Sequence, residues 1–187
     1  MSLNRPSLKF LLPGLVGVLL AVWGGVAQAG RYNDRPPEEI CASLPPAKAK
    51  VVAEWARPAQ EIKPLARPEG NTAVSVGIKY KIKLLPVEEV ALVMPEKGIH
   101  LDKFGGLLSF TVTKAGPYRF STAPYVWLEL VPADGSKKET DVLGSEALLW
   151  CAGIKKNVVF DLEATRYWLQ MSGTLEQDVE VMVSAPE

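Results

Sequence analysis

From residue 73 onward the chain alternates apolar and polar positions with a period of two, the signature of half-buried β-strands. In 76–84, Ile78, Tyr80, Ile82 and Leu84 alternate with Lys79, Lys81 and Lys83. This predicts a strand with one buried face and one lysine-lined face, read as a charged edge strand that resists aggregation. Residues 90–94 are a second candidate, ended by Pro95. Gly105-Gly106 precede a strand over 107–113, with Leu108, Phe110 and Val112 inward. A turn at 115–117 leads to 118–121, then to 125–131 with Val126, Leu128 and Leu130 on one side. Ala133-Asp134-Gly135-Ser136 has hairpin-turn composition. Residues 142–150 read as strand or loop, and 157–162, 166–172 and 179–184 complete the set. Eight or nine short strands over 73–185 predict an all-β domain: an antiparallel β-sandwich, Greek-key or jelly-roll-like, preceded by a short N-terminal helix.

That helix is expected over 47–57, where Val51, Val52, Trp55 and Ala56 share one face and Pro46 and Pro58 bracket the run. Trp55 reads as a plug docking the helix on the body. Prolines at 36, 37, 45 and 46 predict an irregular path over 30–46, and three prolines with Gly70 and Asn71 predict a linker over 58–72. Before all this, Arg5 and Lys9 precede an uncharged stretch from Phe10 to Gly30 that contains Ala27-Gln28-Ala29. A basic start, an apolar run and a small-residue box predict a secretory signal peptide cut after Ala29. The expected organisation is therefore 1–29 signal, 30–72 N-terminal segment and 73–187 sandwich, with no membrane span after cleavage and a periplasmic or secreted destination.

Composition narrows the function. The 187 residues hold 21 basic and 21 acidic side chains. Loss of Arg5 and Lys9 leaves the mature chain mildly acidic, so a dedicated nucleic-acid binder, which needs a basic excess, is excluded. Two cysteines in an exported chain, Cys41 and Cys151, predict a disulfide rather than a metal site or a redox pair, and they lack C-x-x-C spacing. No cofactor motif occurs. The single histidine, His100, has Asp102 nearby but no G-x-S-x-G nucleophile elbow to serve. Asp134, Glu139 and Asp141 lack the order of a calcium loop and read as a solvated hairpin tip.

One set of motifs resembles a family. Gly105-Gly106-Leu107-Leu108-Ser109-Phe110-Thr111-Val112, Ala115-Gly116-Pro117-Tyr118-Arg119, Val126-Trp127-Leu128-Glu129, Cys151-Ala152-Gly153-Ile154-Lys155-Lys156 and Arg166-Tyr167-Trp168-Leu169-Gln170-Met171-Ser172-Gly173 follow in this order. With Cys41, Leu44-Pro45 and Trp55 they resemble a group of small exported proteobacterial proteins of unassigned function. Some members of that group carry a homogentisate dioxygenase label. The sequence speaks against that activity here, because a two-histidine, one-carboxylate iron site needs a second histidine. A looser likeness to the β-sandwich accessory modules of secreted proteases implies fold alone.

The candidate binding residues are aromatic and polar. Trp127 and Glu129 have the parity opposite Val126, Leu128 and Leu130; Arg166, Trp168 and Gln170 have the parity opposite Tyr167, Leu169 and Met171. On one sheet face they would form a sugar-stacking platform with a polar rim. The competing reading buries one or both tryptophans under the 47–57 helix and Trp55. The expectation is a non-catalytic binding or accessory module for carbohydrate or an envelope protein. The alternatives are an envelope polysaccharide hydrolase with paired carboxylates and a protein-interaction or inhibitor subunit.

Overall fold

A computed structural model describes residues 36–95, 103–136, 138, 140–147 and 151–185. The signal segment, His100, Asp102, Glu139 and Trp150 lie outside the described residues. The elements are α1 (Pro37–Ala42), α2 (Pro46–Trp55), β1 (Gln60–Ile62), β2 (Ala73–Val74), β3 (Lys79–Lys83), β4 (Leu85–Pro86), β5 (Phe104–Thr111), β6 (Gly116–Ala123), β7 (Trp127–Pro132), β8 (Val142–Ala147), β9 (Lys156–Leu162), β10 (Arg166–Thr174) and β11 (Asp178–Ser184).

The strands form two sheets, one in the order β1-β3-β11-β6-β9-β8 and the other β2-β5-β10-β7 with β4 also on β5. They face each other across one core, as the alternation requires. Tyr80, Ile82, Phe120, Val158, Phe160 and Val181 of the first sheet meet Leu108, Phe110, Leu128, Leu130, Leu169 and Met171 of the second. Phe110, Phe120 and Phe160 chain across it edge to face at 5.5 and 5.6 Å, the arrangement that ring quadrupoles favour. The fold is an all-β sandwich. Its sheets are mixed rather than purely antiparallel, because β1 runs parallel to β3 and β2 parallel to β5.

Four local expectations need correction. Residues 60–62, expected in a linker, form β1, so β3 lies between β1 and β11 and is not an edge. Its lysines face acidic neighbours on both sides: Lys81 pairs in register with Glu61 and Glu180, Lys83 with Asp178, and Lys79 makes a 3.5 Å ion pair with Glu180. The row is thus set among acidic residues inside a sheet and does not guard an edge. Residues 37–42, expected irregular, form α1, because Pro37 occupies the first helical position, where no N–H is needed. Gly105-Gly106 lie inside β5. A Cβ on Gly106 would come within 2.7 Å of the Pro64 side chain, so glycine there admits the 64–65 segment against the strand. Finally, residues 90–94 form no strand and cross the outside of the second sheet.

The helices cover the outer face of the first sheet. Val51 and Trp55 of α2 pack with Ile154 and Met182, and the Trp55 indole N–H donates to the Ala152 carbonyl at 3.1 Å. The Cys41–Cys151 disulfide ties α1 to the turn at Cys151–Gly153.

Candidate functional site

The cross-strand register decides where the predicted site residues go. β10 pairs with β7 so that Trp168 lies opposite Val131, Gln170 opposite Glu129 and Ser172 opposite Trp127. Directly opposed residues share a face. All of Trp127, Glu129, Arg166, Trp168 and Gln170 therefore project from the outer face of the second sheet. They do not make an open platform. The tryptophans stand four residues apart along the strand direction, roughly 13 Å, and the rung between them is covered.

The cover is the segment 90–94. The fully buried Gln170 side chain holds it: its carbonyl oxygen accepts from the Val93 N–H (2.8 Å) and Met94 N–H (3.1 Å). Its amide donates to the Met94 carbonyl at 3.1 Å and to the Glu129 carboxylate. Trp168 is only 7% exposed. The Arg166 guanidinium lies 4.6 Å from its ring centroid while donating to the Gly70 carbonyl. The expectation that α2 and Trp55 would cover these tryptophans is corrected, since α2 packs on the opposite sheet.

Two other places on the molecule concentrate chemistry. The first is a cleft of about 460 Å³ whose lining includes four acidic residues, Asp134, Asp141, Asp161 and Glu163, and one basic residue, Lys138. The Tyr167 hydroxyl sits in its wall and accepts from the Glu163 N–H at 3.0 Å. Burial, ahead of the nearby carboxylates, pushes the Tyr167 phenol above its ordinary value. The Ser136 N–H, donating to the Asp134 carboxylate at 2.8 Å, holds that acid below its own. Among the described residues no three carboxylate, histidine or cysteine groups converge as a metal-ligand set.

The second place is Lys156. It begins β9 at an inward-facing position, and it is 5% exposed. Its ammonium reaches past the edge of β7 to donate to the Val126 carbonyl at 3.1 Å. It lies 4.4 Å from the Tyr125 ring centroid and 4.8 Å from that of Trp127.

No protein-family model matches the chain, and no curated protein matches it. The assignment of function therefore rests on these sites.

Sequence reasoning read Asp134 and Asp141 as a solvated hairpin tip and missed both the cleft they share with Asp161 and Glu163 and the buried Lys156. The cleft joins residues from 134 to 163 that only the sheet ends bring together. Lys156 did carry a signal: it stands at the inward parity of Val158, Phe160 and Leu162, where an apolar residue belongs. Burial pushes its amine down from 10.5 to about 8. The unfolded chain therefore binds more protons than the folded one between those values, so Lys156 makes stability rise with pH from about 8 upward. Tyr167, raised above 10, starts to act in the opposite sense only beyond that. Denaturant titrations at pH 7, 8, 9 and 10 should show this rise in the native chain and its loss in Lys156→Met. Parallel curves for the two proteins would refute it.

Proposed function

We propose that this chain is an exported, non-catalytic binding module of the periplasm or of the secreted fraction, and that it recognises hydroxyl- and amine-bearing carbohydrate in the four-carboxylate cleft. The observation that carries this reading is the composition of the cleft: Asp134, Asp141, Asp161 and Glu163 outnumber the one cation, Lys138, and Ser136, Thr140, Thr165 and Tyr167 add hydroxyl-bearing residues. Ionised carboxylates are pure acceptors, and sugar hydroxyls and ammonium groups are donors. The disulfide is compatible with an oxidising compartment.

Calorimetric titration of the mature chain with amino-sugar-containing envelope oligosaccharides tests it. Binding should weaken at least tenfold in an Asp161→Asn, Glu163→Gln double variant. Equal binding by the double variant, or none by the native chain, rejects the reading. Release of shorter oligosaccharides in the same mixtures would instead establish a hydrolase.

A protein partner is the second reading, favoured by edge strand β8. Its Val142 and Leu143 are 54% and 59% exposed beside an apolar groove of about 100 Å³ lined by Met94, Leu128 and Phe160.

A further inference from the structure

We infer that Lys156 is a nucleophilic amine site, which captures a small aldehyde as a Schiff base when the Tyr125 ring that packs on the amine swings aside. Three structural observations carry this, and none depends on the carboxylate cleft.

The first is the missing counter-ion. A buried lysine ordinarily has a carboxylate partner, because an unpaired ammonium is costly to desolvate. Among the described residues none reaches Lys156. Its hydrogen-bond acceptor among the described residues is the neutral Val126 carbonyl. The aromatic faces recover part of the lost solvation, yet burial still raises the share of neutral amine above that of an exposed lysine, and its fall to about 8 is consistent with that. Neutral lysine is the nucleophilic form.

The second is a pair of unused donors. The Trp127 indole N–H and the Thr122 hydroxyl are buried and have no hydrogen-bond partner among the described residues. Thr122 is the register partner of Lys156 on β6, and the Trp127 ring borders the amine. When an amine adds to a carbonyl, negative charge develops on the carbonyl oxygen. Pre-placed donors without acceptors stabilise such charge.

The third is access. Tyr125, one of the two rings, is 52% exposed. Rotation of an exposed side chain takes picoseconds to nanoseconds, so its ring serves as a gate to the amine.

The step balances without an oxidant or reductant. The amine lone pair forms a bond to the aldehyde carbon, and the carbonyl π pair moves to oxygen. Proton transfer from nitrogen to oxygen gives a carbinolamine. Loss of hydroxide, protonated to water, leaves the protonated imine, which releases its remaining proton to solvent. An amine and an aldehyde have become an imine and one water.

The test is reductive trapping with glycolaldehyde and cyanoborohydride at pH 7 on the folded mature chain, read by peptide mass mapping. At that pH an amine with a value near 8 is neutral about 300 times more often than one at 10.5. Lys156 should therefore be modified at least tenfold faster than the exposed Lys103 and Lys138. Tyr125→Ala should accelerate it, Lys156→Arg should delete that adduct alone, and denaturation in urea should erase the preference. A fast reaction only in Tyr125→Ala also supports the site, with the ring as its gate. Modification of Lys156 no faster than Lys103, in both the native chain and Tyr125→Ala, overturns the proposal and leaves the amine a structural cap on the β7 edge.

Discussion

Replacing Cys41 and Cys151 by serine should cost roughly 4–5 kcal/mol of stability, by the entropy of the loop that the crosslink closes in the unfolded chain. The two residues are 110 positions apart, near the upper end of loop lengths for a single domain. The bond also fixes a helix with little else to hold it. α1 has six residues, and isolated helices shorter than about 12 residues are marginal in water. Its removal should leave α2 attached through Trp55, which is buried to 1% exposure and bonded to the Ala152 carbonyl. The expected result is a lower denaturation midpoint in the double-serine variant and in the reduced native protein. Amide exchange should accelerate first across 37–43 while the sheets stay protected. A loss below about 1 kcal/mol would show that the unfolded chain already keeps the two segments close.

What the sequence revealed and what it concealed divide along one physical line. Inward parity is a local property. Leu108 and Phe110, Leu128 and Leu130, Val158 and Phe160 announce the buried face of their strands wherever those strands lie, and each is in the core. Neighbours are not local. The Lys79, Lys81, Lys83 alternation is the same in an edge strand as in an interior one. What distinguishes them is whether Glu61 and Glu180 arrive on either side, which depends on pairings with β1 and β11. β1 itself is three residues, Gln60-Glu61-Ile62, with no alternation to read. The same limit applies to the tryptophans. Parity put Trp127 and Trp168 each on the outward side of its own strand, but nothing near 127 or 168 says that the two sides coincide or that 90–94 will cross them. That apolar run reads as a strand, yet its partners are one side chain 76 to 77 residues away and, for the Ala91 N–H, the single Ala66 carbonyl. The carboxylate cleft is equally non-local. Lys156 is the exception, since an inward lysine is a local contradiction and such contradictions concentrate at functional sites.

Gln170→Met should be the most damaging change on the second sheet that preserves volume, costing about 3 kcal/mol from buried polar groups left unpaired. Methionine fills the space but offers nothing to the Val93 and Met94 N–H groups, the Met94 carbonyl or the Glu129 carboxylate. The cost is bounded because 90–94 can lift off and bond to water. Release should then expose Trp168, now 7% exposed, so a red-shifted tryptophan emission and fast exchange at 93–94 should accompany the lost stability. Gln170→Glu separates hydrogen bonding from shape. The introduced carboxylate still accepts from both N–H groups but faces the like charge of Glu129 and the Met94 carbonyl, which loses its amide donor. At neutral pH this variant should be less stable than the native chain. It should regain part of the deficit as the pH falls, because protonating the introduced carboxyl restores one donor and removes the repulsion. A Gln170→Glu chain with native-like stability at pH 7 and no gain on acidification would show that 90–94 is held by its apolar contacts and not by this amide.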